Sequence, residues 1–304
     1  MSAAFESSST HVTISEDERA SGIMARQNIE KAVVALAQDG IVILDNAVSE
    51  TSLDFLNKRM VEEAAQLRDS NKTQFNYGKK AQNILQHMIP EPDYILSDIQ
   101  ANPFAVSVCK AVLGPKPVLR YHKANTNFPG EIRQPVHSDV HYEHPRACFA
   151  LAVNTVLIDC SPENGSTECW PGTHLTTRFA DQNGMNGIFP HLLERRAKNV
   201  PPLQPTIKKG GLIVRDMRLW HAGMPNHTEQ IRVMLNLIYF ADWYRSPMTI
   251  KFPRETEERI HQLEAQSGTE IAAEFVDHLD HLTLRHTHDF GQDDKREEFG
   301  RNRE

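Results

Sequence analysis

Gln134-Pro135-Val136-His137-Ser138-Asp139 is the stretch on which the reading of the chain turns. Taken as a strand, it points residues two apart to one face, so the imidazole of His137 and the carboxylate of Asp139 stand side by side. Two such groups on one rigid segment form a grip for a divalent metal. A third ligand must come from elsewhere, and His221 in Arg218-Leu219-Trp220-His221-Ala222-Gly223 is the best candidate. Two histidines and one carboxylate on one face of a metal leave the opposite positions open, the arrangement of non-haem Fe(II) oxygenases.

His-x-Asp alone is a weak signal, and the chain holds a second copy, His278-Leu279-Asp280. That copy continues the run 270–279, which reads as a helix, and residues two apart on a helix do not share a face. The copy at 137 lies in β-type sequence and has a follower, Arg232, eleven residues after His221. Gly223, Pro225, Asn226 and Thr228 read as a turn between them. An arginine inside the apolar strand 230–239 needs an anionic partner, and its planar guanidinium suits a carboxylate. The plain alternative is a structural ion pair with Asp216.

With these elements in order, the chain resembles the phytanoyl-CoA dioxygenase family of Fe(II)/2-oxoglutarate oxygenases. Pro162-Glu163-Asn164-Gly165-Ser166-Thr167-Glu168-Cys169-Trp170-Pro171-Gly172-Thr173-His174 adds to the likeness, because it is similar to the family's Asn-Gly-Ser/Ala-Thr…Pro-Gly-Ser-His segment. The likeness covers roughly residues 30 to 245 and is strongest to fungal members that tailor natural products. It implies Fe(II) held by His137, Asp139 and His221, with O2 and the cosubstrate 2-oxoglutarate. It also implies that Arg232 anchors the distal carboxylate of 2-oxoglutarate, with hydrogen bonds from Gln134 and Thr167. Asn83 matches a substrate-contacting asparagine of the fungal relatives. Asp139 argues against a halogenase, since relatives of that kind lack the carboxylate. A homodimer would suit such a relative, although no heptad or apolar stripe points to one.

Each of these residues has a bland reading. With 15 histidines in the chain, any single one is more plausibly a satisfied core histidine, and only the joint pattern outweighs that. Gln134 and Thr167 could be ordinary strand-edge and turn residues, and Asn83 a solvated loop amide. His141 could suggest a zinc site of three ligands on one strand. At strand rise, however, His137 and His141 lie roughly 13 Å apart, so His141 is read as pocket lining or exposed surface. Tyr239 and Phe240 end the strand after Arg232, and one of them is expected to line the substrate pocket.

Composition sets the frame. The 304 residues are 39% hydrophobic, enough for a sizeable core. A net charge of −7 with only short basic pairs gives no nucleic-acid stripe. The longest apolar run, 147–158, is too short to span a bilayer. The four cysteines show no zinc spacing and no CxxC, which suits reduced thiols in a cytoplasmic protein.

Along the chain, residues 1–22 are Ser-, Glu- and Asp-rich and read as a disordered tail. Helices are expected over 29–37, from the N-cap stretch 49–52 to about 69, and over 103–112, 190–198, 253–267 and 269–284, with a strand over 41–44. Residues 70–92 read as a long polar loop. Strands are expected at 117–127, 133–142, 147–158, 203–207, 211–216 and 231–240, with turns at Pro129-Gly130, Asn164-Gly165 and Gly210-Gly211. Together they imply one mainly β domain over 23–284, a double-stranded β-helix (jelly-roll, cupin-like) core with flanking helices. The charged residues 285–304 read as a second disordered tail. The function expected is oxidation of a small, mostly apolar substrate, by hydroxylation, desaturation, epoxidation or rearrangement, in secondary metabolism. The alternatives are a cupin-like metal enzyme without 2-oxoglutarate, an isomerase or a dioxygenase, and an acyl-CoA hydroxylase. CoA phosphates would want a clustered basic rim, and only scattered basic pairs are present.

Overall fold

The computed structural model describes residues 9–68, 70, 73–184, 187–285 and 289–292. The elements run β1 (His11–Thr13), α1 (Glu16–Ser21), α2 (Arg26–Asp39), β2 (Ile41–Asp45), α3 (Glu50–Arg68), β3 (Asn83–His87), α4 (Ser97–Gln100) and α5 (Pro103–Leu113). They continue β4 (Val118–Asn127), β5 (Ala150–Val156), β6 (Glu168–Cys169), α6 (Pro190–Ala197), β7 (Leu212–Asp216), β8 (His221–Ala222) and β9 (Arg232–Phe240). The last are β10 (Ile250–Pro253), α7 (Glu257–Ser267), β11 (Glu270–Ile271) and β12 (Ala273–Val276).

The main sheet has the order β1-β2-β7-β5-β9-β4-β11, and β3 also pairs with β4. One face packs on α2, α3 and α5. The other faces a minor sheet of β6 and β8, extended by bridges from His137 to His221 and from Cys169 to Leu203. This is the jelly-roll sandwich the sequence implied. Strands covered on both faces should be apolar throughout, but with alternate residues in different layers. In β2, Val42 and Leu44 join the helix-side core, while Ile41 and Ile43 join the core between the sheets. β9 does the same with Val233, Leu235 and Leu237 outward and Met234 inward. Arg232, Asn236 and Ile238 share the parity of Met234, and this places polar side chains inside the sandwich.

Five expectations are corrected. First, within 1–22, His11–Thr13 pairs in parallel with Ile43–Asp45, and Glu16–Ser21 is helical. The Ser and Glu there are cap chemistry: the near-buried Glu18 carboxylate accepts from Ser15 N at 2.9 Å, Ala25 N at 2.7 Å and Asn28 Nδ2 at 2.9 Å. Second, the loop 70–92 contains β3, antiparallel to β4, with Asn83 as its first residue. Third, 133–142 and 203–207 form isolated bridges rather than strands; Pro135 removes a ladder donor beside the metal-type motif. Fourth, 269–284 is not helical. Gly268 ends α7 with φ 62°, and β11 and β12 then pair with β4 and β10. Fifth, the segment 285–304 is not wholly a tail, because Phe290 packs on Tyr121 and Phe240. Residues 293–304 lie outside the described residues, as do 1–8.

Candidate active site

The bridge between His137 and His221 is what builds the site. His137 N donates to His221 O and His221 N to His137 O, each at 2.9 Å. The two imidazoles are thereby held with centroids 4.4 Å apart. Each Nδ1 lies against the carbonyl two residues back, Pro135 O at 2.8 Å and Leu219 O at 2.9 Å. A carbonyl can only accept, so Nδ1 carries the proton in both rings and both Nε2 lone pairs are free. Asp139 Oδ1 lies 3.9 Å from His137 Nε2 and 3.6 Å from His221 Nε2. One ligand atom from each residue lies within 4.8 Å of the others.

The other carboxylate oxygen is already taken. Arg215 Nη2 donates to Asp139 Oδ2 at 2.8 Å. Arg215 Nε donates to Asn154 Oδ1 at 3.2 Å, and Asn154 Nδ2 to Asn236 Oδ1 at 3.0 Å. A chain of buried polar groups thus clamps Asp139 and leaves Oδ1 alone to face the histidines.

The charges suit a cation. Burial pushes both imidazoles toward the neutral form, His221 well below its ordinary range, where the Arg215 charge adds to the effect. Burial would raise the Asp139 carboxyl, but Arg215, His221 and His137 together outweigh it and hold the group well below the usual carboxylate range. Neutral imidazoles beside an ionised carboxylate are the protonation state that metal binding requires.

Arg232 lies in the same cavity and is 1% exposed. Its Nη2 donates to Gly165 O at 2.8 Å, Nη1 to Asn125 O at 3.3 Å and Nε to Asn164 O at 3.4 Å. All three acceptors are neutral carbonyls. The ion pair with Asp216 does not form: Arg218 occupies that carboxylate at 2.6 and 2.9 Å. Among the described residues no carboxylate answers Arg232, and a buried cation without a counter-charge is costly. Gly165 makes the carbonyl shelf possible, since its φ is +80° and an added Cβ would meet Met224 O at 2.6 Å.

The cavity holds about 190 Å³. Gln134, Thr167, Asn83 and His141 all line it. Gln134 Oε1 accepts from Gly223 N at 3.0 Å, and Asn83 Oδ1 from Asn76 Nδ2 at 3.3 Å. Tyr239 does not line it: on the helix side of β9, its hydroxyl donates to Gln100 O at 2.7 Å. Phe240 is buried behind Phe290, against Tyr244. Sequence reasoning missed Tyr77, whose ring lies 4.8 Å from His137. It also missed Tyr121, Asn125, Asn154, Arg215, Asn236 and Phe290 on the wall. Strand parity was the available signal: Asn236 stands four residues after Arg232 in β9 and so shares its face.

A family model described as phytanoyl-CoA dioxygenase matches residues 36–234. The dioxygenase af480 of Aspergillus fumigatus is 26% identical over 243 residues, covering 77% of this chain and 74% of that protein. Among solved structures, EctD from S. alaskensis with 2-oxoglutarate and 5-hydroxyectoine aligns with TM-score 0.56 at 23% identity, over 74% of this chain and 78% of that one. The epimerase SnoN from nogalamycin biosynthesis, solved with Fe3+ and α-ketoglutarate, aligns with TM-score 0.55 at 15% identity, over 71% and 84%. At such identities these two structures show a common fold.

Proposed function

The chain belongs to the phytanoyl-CoA dioxygenase family and is an Fe(II)- and 2-oxoglutarate-dependent dioxygenase, and we propose that His137, Asp139 and His221 hold its iron while Arg232 holds the far carboxylate of its cosubstrate. The observation that carries this assignment is the uncompensated Arg232 guanidinium in the same cavity as a two-histidine, one-carboxylate cluster. A dicarboxylate with a metal-binding keto-acid head would supply both missing partners at once.

When bound, iron with 2-oxoglutarate and O2 supplies an oxidant that abstracts hydrogen from the substrate. The chain's own residues do the rest. The Pro135 and Leu219 carbonyls fix both imidazole tautomers. Arg215 keeps Asp139 ionised and its Oδ2 occupied, so that Oδ1 is the oxygen that would be offered to the iron. Gln134 and Thr167 line the cosubstrate's berth, and Tyr77, Tyr121 and Phe290 exclude water from it. Asn83 and His141 line the same cavity, where the reacting end of the substrate would lie. We further propose a small, mostly apolar substrate in secondary metabolism, supported by the likeness to enzymes of nogalamycin biosynthesis. No helix among the described residues is long and apolar enough to cross a membrane. The four cysteines are all free, which supports a cytoplasmic location.

The test is anaerobic titration of the metal-free protein with Fe(II) and then 2-oxoglutarate. The expected result is a visible charge-transfer band in the wild type, lost in His137→Ala and needing far more 2-oxoglutarate in Arg232→Ala. Iron binding with no band at saturating 2-oxoglutarate would sink the reading and favour a cupin-like enzyme that does not use this cosubstrate.

A further inference from the structure

A second cavity adjoins the first at a gap in the main sheet. β3 pairs with residues 123–127 of β4, and β11 pairs with 118–119. Arg120, Tyr121 and His122 fall between them, and no strand among the described residues pairs with them on that edge. A space of about 570 Å³ opens there, walled on its far side by β10 and β12. Tyr121 lines both cavities, and Phe290 stands against it with ring centroids 5.5 Å apart.

The two cavities differ in volume. Small-molecule pockets run about 300–1,000 Å³. The 190 Å³ around the triad falls below that range and must also admit 2-oxoglutarate. The 570 Å³ space falls inside it. Its floor is apolar, with Met88, Met248, Ile250 and Phe252. Four cations line it, Arg120 and Lys123 on β4 together with Lys251 and Arg285. Arg120 gives one hydrogen to Met248 O at 3.1 Å and forms no ion pair among the described residues. Lys123 is 7% exposed, with its ammonium 5.0 Å from the Tyr121 ring centre. Two acids also line the space. Glu274 is engaged by Lys251 at 3.6 Å, and Asp289 stands beside the Tyr121–Phe290 wall. The His122 ring is 6% exposed, and its Nε2 has no hydrogen-bond partner among the described residues. Burial drives His122 down to about 3 and Lys123 down to about 8. Both side chains line the cavity.

We propose that this second cavity receives the body of the substrate, an elongated, mostly apolar molecule whose carboxylate is held at Arg120 and Lys123 while its far end passes Tyr121 and Phe290 to the triad. This rests on the dioxygenase reading above and adds to it where the substrate lies and which charge it bears. An apolar body gains by leaving water for Met88, Met248 and Phe252. A carboxylate that reaches the guanidinium and the ammonium would make charge-assisted hydrogen bonds with both.

The experiment is calorimetric titration of the full chain, loaded with Fe(II) and 2-oxoglutarate without oxygen, using dodecanoate, dodecanol and dodecyl phosphate as probes. Dodecanoate should bind the wild type at least about tenfold tighter than dodecanol, the factor that roughly 1.4 kcal/mol provides. The preference should vanish in Arg120→Gln/Lys123→Gln. It should survive in Arg120→Lys, which separates lost charge from lost fold. Ile250→Trp, which fills the cavity, should weaken both probes at least about tenfold. Equal binding of dodecanoate and dodecanol, or a preference untouched by the double substitution, overturns the proposal. So does tighter binding of dodecyl phosphate by the same margin, which would make the anion a phosphate. The charge-transfer band of the wild type keeps the two readings apart: its absence removes the dioxygenase assignment, whereas its presence without carboxylate preference removes only this one.

Discussion

The chain writes His-x-Asp twice and folds the two copies into different things. At 278–280 both polar residues are exposed, and Asp280 serves its own turn, accepting from Leu282 N at 3.2 Å and Thr283 Oγ1 at 2.7 Å. At 137–139 the histidine is buried and bridged to a second histidine 84 residues further on, and the carboxylate is clamped by a buried arginine. The comparison shows where a metal site comes from. The tripeptide supplies donor atoms; at 137–139 the bridge, the fixed tautomers and burial bring them into an arrangement that could hold a metal ion.

The largest expected effect tests that contrast directly. Asp139→Ala should lower turnover by more than about 100-fold, beyond the range typical of losing an outer-shell partner. Asp280→Ala, on the exposed turn, should stay within about twofold. Steady-state 2-oxoglutarate consumption reads both, and a comparable loss in the two variants would break the comparison.

Arg232→Met comes next. Loss of one partner of a buried charge pair costs roughly 2–5 kcal/mol, so the KM for 2-oxoglutarate should rise by about 100-fold. The same change removes a buried cation that only neutral carbonyls answer. Without 2-oxoglutarate the variant should therefore be as stable as the wild type or more so. Calorimetric melting with and without cosubstrate checks the sign, and a variant destabilised equally in both conditions would mean that the arginine is structural.

Arg215→Met should be milder, because Arg215 touches Asp139 and not the metal position. Iron affinity should fall about 10- to 100-fold, measured by competition with a chelator. Arg215→Lys should recover part of the loss, since an ammonium can reach one carboxylate oxygen but cannot also hold Asn154.

The contrast between the two copies also marks how much was legible in the sequence. The triad residues and Arg232 stood out because their spacing survives without knowledge of strand register. Arg215, Asn154 and Asn236 did not, since polar residues scattered in apolar strands carry no pattern until the strands are paired. β3 hid for the same reason: Asn83, Gln86 and His87 look like loop, yet Asn83 faces a polar cavity and Gln86 Nε2 donates inside the core to Met60 O at 3.0 Å. The helix expected over 269–284 failed because tertiary pairing overrode local pattern. Ile271, Phe275 and Leu279 recur at helical spacing, but the edge of β4 and the neighbouring β10 were open to strands.

Glu18 offers the smallest effect and the finest version of the same contrast. Like Asp280 it is a carboxylate serving a local turn, but it is 7% exposed rather than on the surface. Burial would raise its pKa, yet hydrogen bonds from Ser15, Ala25 and Asn28 outweigh burial and bring it down to about 2, against an ordinary 4.5. A folded-state pKa below the unfolded one stabilises the protein above the unfolded value, and the contribution fades as the pH falls toward the folded one. Glu18→Gln should therefore cost about 1 kcal/mol at neutral pH, the size of a lost cap. The difference in melting temperature from wild type should shrink as the pH is lowered from 4.5 toward 2. A Glu18→Gln penalty that stays constant through that window would mean the turn depends on the shape of the side chain and not on its charge.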